Sequence, residues 1–380
     1  GSVTDKITLT IEEGTTIKGV YNSDPYLASA LIITKTGRIV AEGTAASPII
    51  MTAENGTKGG WGGLVLLGNA TVNQGNNGVI EGIDPSHVTV PTGLSVTYGG
   101  STNNDDSGKL KYVRVEFAGA AISDANELNA FTFGGVGSGT EVNYCQAFHG
   151  ADDAFEFFGG TVNATHLVST ATDDDAFDFD FGYTGTIQFA LATIDASMTY
   201  SSDPNGIECD NDGNSSDATP YTHPVLSNLT IRGTESGAIA GGGVGGYLKS
   251  GADFRRNCEF TLVNSILYGF PRGILKETTN TTYILENNVV VAAPAGSGIN
   301  FSANKSDNTT FSAPGNYGLT SYGDIVLNNP WGGYKTIGLR PTANPALTGF
   351  TSVSGIETVT YKGAVSPTIG QNWLTASWIR

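Results

Sequence analysis

The sequence predicts an all-β protein, a single right-handed parallel β-helix with a C-terminal cap. Three observations predict it. A short phrase recurs at the spacing of solenoid coils, its apolar and acidic residues alternate in the same phase in every copy, and no amphipathic helix of normal length separates the copies.

The phrase is DDAFEFFGG (152–160), then DDDAFDFDFG (173–182), then NGIECDND (205–212). Asp153 to Asp175 and Phe155 to Phe177 are both 22 residues apart; Phe177 to Ile207 is 30, the same turn lengthened by an insertion. Side chains of an extended chain alternate between two faces. Phe155 and Phe157, then Phe177, Phe179 and Phe181, then Ile207 and Cys209 share one face. Glu156 and Phe158, Asp178 and Asp180, and Glu208 and Asp210 share the other. Stacked strands with an apolar inner column and an acidic outer one satisfy all three copies.

The other elements follow in order. ITLTIEEGTTIKG (7–19) and LIITKTGRIVAEGT (31–44) repeat with Ile11 and Ile33 again 22 apart, and SPIIMTA (47–53) adds a short strand. GGWGGLVLLGNATVN (59–73) carries a continuous apolar run, as a strand buried on both faces would. Residues 83–109, ending in YGGSTNNDDSG, break the rhythm and read as a loop insertion. KYVRVEFAG (111–119) restarts the series, and strand-like runs recur to 282–292 with a period in the low twenties. Residues 301–380 are less regular, and NWLTASWIR (372–380) reads as a short helix closing the last coil. The whole chain, 1–380, is read as one domain.

Composition narrows the function. The 52 glycines and 14% charged residues argue against a helical protein, and the recurring apolar residues argue against disorder. A net charge of −17 disfavours nucleic acid and anionic membranes as partners and favours cations or neutral ligands. Three cysteines (Cys145, Cys209, Cys258) cannot all pair, so this is no disulfide scaffold, and Cys209 is expected to be buried. No run of about 18 apolar residues offers a transmembrane helix. The Gly1-Ser2 start without Met reads as a processed end, from which any signal peptide or lipid anchor would have been removed.

The acidic column is the first candidate site. Carboxylates stacked about 5 Å apart repel by roughly 3 kcal/mol at a surface dielectric near 20, so something must offset them. A cation held by Asp153, Glu156, Asp175, Asp178, Asp180, Glu208, Asp210 and Asp212 would do so, and oxygen ligands in flexible number suit Ca²⁺. Raised pKa values are the other outlet, and a solvated stripe of Asx turns the plainer reading. Phe158 and Tyr183, beside the acids, are candidates for stacking on sugar rings, against the plainer reading that loops cover them. Trp61 near its Gly-rich turn is weighed in the same way. NNDDSG (103–108) is a weaker cation candidate. Catalysis on the column would need a base, and Lys249, Arg255, Arg256 and Lys276 are available, with nothing in the sequence placing them opposite the acids. His149 reads as a turn residue, and His87, His166 and His223 lack metal-ligand spacing.

Several phrases carry a resemblance: ITLTIEEGTTIKG, WGGLVLLGNA with IEG (80–82), KYVRVEFAGA, the run from FTFGGVGSGTEVNYCQAFHG to DDDAFDFDFGYTG, NGIECDND, FRRN (254–257), LRPTANPAL (339–347) and the ending VTYKGAVSP with NWLTASW. They resemble a family of secreted or lipid-anchored bacterial right-handed β-helix proteins of the pectin-lyase-like group. The resemblance covers nearly the whole chain and implies the fold and an extracellular or cell-surface place. It brings no reaction and no catalytic residue, since the wider group holds polysaccharide lyases, hydrolases and adhesins alike. The expected function is therefore non-catalytic binding of glycans or other surface polymers, adhesin-like, with Ca²⁺ on the acidic column. The alternative is a Ca²⁺-dependent polysaccharide lyase or glycoside hydrolase.

Overall fold

A computed structural model describes residues 2–83, 95–123, 126–325, 327–333, 339–342, 348–368 and 370–380. Parallel strands recur at each sequence repeat because in-register stacking buries the apolar face of one coil on the next. Leu31–Ile33, Leu64–Leu67, Phe131–Val136, Phe155–Gly160, Asp178–Asp180, Glu208–Cys209, Ser250–Phe254, Arg272–Lys276 and Ile299–Ser302 form one nine-stranded sheet, each parallel to its neighbours. A fifteen-stranded sheet supplies the other side, with Gly108–Glu116, Glu141–Phe148, Asn163–Thr170 and Thr186–Thr193 as its longest members. The expected parallel β-helix is the fold.

The repeats stack like on like. Phe131, Phe155 and Phe177 lie with ring centroids 4.8 and 5.6 Å apart, and Phe133, Phe157 and Phe179 4.9 and 5.2 Å apart, all near-parallel. Such pairs add about 0.5–1.5 kcal/mol each beyond their burial. Cys209 continues the second column and is fully buried, as expected.

The long strands bend because one residue in each turns left-handed: Tyr112 (φ 50°), Tyr144 (55°), His166 (56°) and Phe189 (58°), followed at later coils by Asn228, Asn264 and Asn287. Asn tolerates this region; aromatic residues adopt it at a cost. The column presents stacked rings, with Tyr112 and Tyr144 4.6 Å apart and Tyr144 and His166 4.2 Å apart, and then a series of amides.

The C-terminal segment covers that column. The Thr351 backbone exchanges two hydrogen bonds with the side-chain amide of Asn264 (3.0 and 2.9 Å), and the Glu357 backbone exchanges two with that of Gln188. The Tyr361 carbonyl accepts from Asn228 (2.7 Å). Trp373 stands edge-on to Tyr144 and His166, Trp378 edge-on to Tyr112 and Tyr144, and Arg380 pairs with Glu116 at 2.6 Å. NWLTASWIR therefore does not sit over the last coil. Its only helical part is the 3-10 turn Trp373–Thr375, and it lies back along the flank of the early coils. The open ring faces and free amides of the bend give it more to bury and bond there than a coil end would.

Of the loop expected at 83–109, residues 84–94, with His87, lie outside the described residues, as do 343–347 of LRPTANPAL. What is described of it is partly ordered into the coil: Thr97–Tyr98 pairs with Gly78–Val79, and a long strand begins at Gly108. Trp378 is wholly buried, so Trp378→Ala is expected to lower the unfolding free energy by about 3–5 kcal/mol in urea titration. A loss below about 1 kcal/mol would mean that the C-terminal strap melts independently of the coils.

Candidate functional site

Strand register builds the site. Thr132, Glu156, Asp178, Glu208 and Asp253 pair in succession and form one row on the outer face of the nine-stranded sheet. A second row sits where each coil turns into its strand, with Asn129, Asp153, Asp175 and Asn205 two residues before Phe131, Phe155, Phe177 and Ile207. Its carboxylates cap the following coil: Asp153 Oδ1 accepts from the Asp175 backbone N–H (2.8 Å), and Asp175 Oδ1 from that of Asn205 (2.6 Å).

The two rows converge. Asp153, Glu156 and Asp178 bring one carboxylate oxygen each within 4.8 Å of one another, and Asp175, Asp178 and Glu208 do the same, so Asp178 belongs to both groups. A third group joins Asp152, Asp153 and Asp174. Asp153, Glu156, Asp175 and Glu208 are buried, and Asp178 is half-buried. Two oxygens on one Ca²⁺ lie no more than about 5.2 Å apart, twice the longest Ca–O bond, so these groups could hold a metal ion. Two further oxygens fit that role. Asn129 and Asn205 donate their Nδ2 to Glu156 and Glu208, while their buried Oδ1 atoms accept no hydrogen bond among the described residues. Unmet buried acceptors beside carboxylates make an all-oxygen donor set that calls for a hard cation.

The electrostatics point the same way. Burial first, and then the neighbouring carboxylates, push the pKa values of Asp153, Asp175 and Asp178 well above the usual range. Burial lifts Glu208 to about 8 even though Arg255 contacts it. Lys58 meets Asp173 beside the third group, but among the described residues cations reach the row itself at the later coils. Arg255 pairs with Glu208 and Asp210 (2.9 Å to the latter), Arg256 with Asp210 (2.7 Å), and Lys249 with Asp203 (2.6 Å) and Asp253 (3.0 Å). Burial works to lower Lys249 and Arg255, but the surrounding acids outweigh it and hold both above their usual pKa values. They are therefore fixed as cations. Asp178, where the groups overlap, has neither an ion pair nor a side-chain hydrogen bond among the described residues.

Five of the eight expected ligands thus come together: Asp153, Glu156, Asp175, Asp178 and Glu208. Asp180, Asp210 and Asp212 do not join these groups. Asp180 accepts from the Phe181 backbone (2.8 Å), Asp210 is taken up by two arginines, and Asp212 closes a turn onto Asn214 and Ser216. Phe158 and Tyr183, expected on an open face, are buried. Phe158 packs on Tyr98 and Phe181 in an apolar cluster outside the sheet, and Tyr183 lies in the core against Phe157 and Phe179 with its hydroxyl on the Val162 carbonyl (2.8 Å). Trp61 is buried too. In NNDDSG, Lys6 and Arg38 already neutralise Asp105 (2.8 Å) and Asp106 (2.6 Å). Lys276 bonds the Thr278 carbonyl, and His149 is a left-handed turn residue stacked on Phe148. Sequence reasoning missed Asn129, Asn205 and Asp152; continuing the offsets that align Asp153 with Asp175 reaches Asn205 directly.

The chain belongs to the family described as the pectate-lyase like beta helix domain, which matches residues 2–317. No curated protein and no solved structure matches it. Among the described residues no helix is long and apolar enough to cross a membrane.

The raised carboxyls set a pH dependence. Without a cation the folded protein keeps protons on groups such as Glu208 that the unfolded chain releases above about 4.5. Stability in chelator is therefore expected to fall as pH rises from about 4.5 to about 8 and to level off beyond, in thermal melts across that range. Glu208→Gln should flatten the fall; a wild-type curve that rises through the window would refute the assignment.

Proposed function

We propose that this protein is a Ca²⁺-loaded β-helix outside the cell or on its surface that binds glycans or other surface polymers without chemical turnover. The observation that carries the reading is the convergence of Asp153, Glu156, Asp175, Asp178 and Glu208, with no ion pair on Asp178 among the described residues. Calcium is favoured because every donor is a hard oxygen and the five carboxylates come from three coils in unequal positions, which suits an ion that accepts six to eight ligands in flexible geometry. The carboxylates of Asp153 and Asp175 would hold it through the oxygens left over from their backbone bonds. Held by a fixed scaffold, the ion would offer its remaining positions to the hydroxyls or carboxylates of a polymer. Binding is preferred over catalysis because Lys249 and Arg255, the cations nearest the acids, are held protonated and so are poor bases. The burial of Phe158 and Tyr183 removes the aromatic platform first expected on this face, so any sugar contact there runs through the ion.

A Ca²⁺-dependent lyase or glycoside hydrolase is the second reading, favoured by one observation: Arg255 touches Glu208 and Asp210 beside the candidate ion site.

Chelation is expected to lower the melting temperature, and Ca²⁺ at about 100 times its Kd to restore about 2.7 kcal/mol of stability, with Asp178→Asn losing most of the response. A transition unchanged across millimolar Ca²⁺ would remove the ion from the proposal. Incubation with acidic and neutral polysaccharides should yield binding but neither new reducing ends nor unsaturated uronates; turnover abolished by Asp178→Asn would establish the second reading instead.

A further inference from the structure

The three cysteines are free thiols in this structure and all are buried, but their surroundings differ. Cys145 lies in the strand Glu141–Phe148, and its thiol donates to the Leu110 and Asn143 carbonyls (3.9 and 3.8 Å). Cys209 and Cys258 face each other, with the Cys258 thiol as a hydrogen-bond partner of the Cys209 thiol. The backbone brings them together. Cys209 pairs in register with Phe254 of the next coil, and the Arg255 N–H donates to the Cys209 carbonyl (3.0 Å). Arg256 and Asn257 then turn left-handed (φ 46° and 67°), and the Cys258 N–H closes the turn on the Arg255 carbonyl (3.1 Å). The returning chain packs on the strand it has just left. Phe260 stacks on Phe254 with ring centroids 3.6 Å apart, and the Cys209 thiol reaches the Glu259 carbonyl (4.0 Å). Successive coils lie about 4.8 Å apart, within the Cα separation of about 4.4–6.8 Å that a disulfide spans.

The place in the chain is where a cross-link would count. Glu208 and Asp253 pair across a step of 45 residues, against 22 from Glu156 to Asp178. The longer step holds the Asp212 turn and a glycine hairpin, in which Gly242, Gly243, Gly245 and Gly246 are all left-handed. Closing so long an excursion costs chain entropy, and a bond between its two ends takes that cost out of folding by restraining the unfolded chain. The same bond would fix Arg255 beside Glu208 and Asp210. Burial first, and then the Cys258 thiol, hold the Cys209 thiol well above its usual pKa, so the closed coil offers no thiolate to an oxidant. Oxidation therefore belongs to the stage at which this coil is still open.

We propose that Cys209 and Cys258 form a disulfide as the chain folds, by exchange with a low-molecular-weight disulfide, while Cys145 remains a thiol. One thiolate attacks the oxidant to give a mixed disulfide, and the other displaces the oxidant's remaining half. The Cys209–Cys258 bond forms, the oxidant's sulfur–sulfur bond breaks, and its two halves leave as thiols with the two protons and two electrons. The proposal is independent of the polymer-binding reading above.

Refolding the full chain from urea with excess oxidised glutathione, and separately with dithiothreitol, tests it. Counted in denaturant after an acid quench, the oxidised protein is expected to carry one free thiol against three in the reduced one, and to be about 2 Da lighter. Peptide mapping without reductant should join Cys209 to Cys258 at least tenfold over either pairing with Cys145, whereas oxidation of the unfolded chain in urea should give all three pairings in comparable amounts. The oxidised form should melt about 5 °C above the reduced form. Cys258→Ala should keep two free thiols and melt alike under both conditions. Three free thiols in the folded, oxidised wild type would overturn the assignment, and so would pairings in the proportions found in urea. Both readings come from the wild type and do not depend on the variant's folding.

Discussion

In-register parallel pairing governs this molecule. Each coil sets its residues about 4.8 Å above the equivalent residues of the last, so whatever a repeat encodes once is stacked upon itself. For Phe155, Phe157, Phe177 and Phe179 the stacking is favourable, and it forms the core. For Glu156, Asp178 and Glu208 it is not, because like charges at that distance repel by roughly 3 kcal/mol near a dielectric of 20. The protein relieves the repulsion unevenly. Backbone N–H groups take one oxygen each of Asp153 and Asp175, and Arg255 and Lys249 meet the row at Glu208 and Asp253. The middle of the ladder is left to protons or to an ion.

The bend obeys the same rule. A left-handed residue in one coil is stacked on a left-handed residue in the next, from Tyr112 to Asn287, so the local cost recurs along the flank. The strap from Thr351 to Arg380 offsets it by giving each position a partner: tryptophans for Tyr112, Tyr144 and His166, Tyr361 for Phe189, backbone carbonyls for Asn228 and Asn264, and the Thr351 hydroxyl for Asn287. The solenoid and its C-terminal segment are thus one structure.

What could be read from the sequence follows from this rule. The phase of DDAFEFF, DDDAFDFDF and NGIECDND places the inner and outer faces of the strands, because alternation is local and the offsets of 22 and 30 keep the strands in register; Phe181, expected inside, departs from it because its left-handed backbone (φ 51°) turns it out onto Phe158. Asp253, and the placement of Lys249 and Arg255 beside the acids, escaped because the step from Glu208 to Asp253 is 45 residues, and the glycine hairpin hides the period. Phe158 shows the limit of alternation. It does point away from the core, as its phase says, but a segment carrying Val72 and Tyr98 covers the sheet there, and no local pattern announces that cover. The strap's place was illegible for the same reason: Trp378 meets Tyr112 across most of the chain.

The turn row also explains why its two ends do not cancel. It reads Asp153, Asp175, Asn205, Ser250, Arg272 along the axis. From Asp175 to Arg272 is three coil steps, about 14 Å, beyond the Debye length of about 8 Å at physiological ionic strength. Across that distance, with two uncharged residues between, Arg272 does little for the acids and the acids do little for Arg272. Each end must therefore be neutralised by something nearer. At the acidic end the nearest unmet groups are oxygens, which call for a cation; at the other, Arg272 meets the Lys305 and Asp307 carbonyls and, after the Thr309 hydrogen bonds, helps hold the Asp307 carboxyl below its usual range.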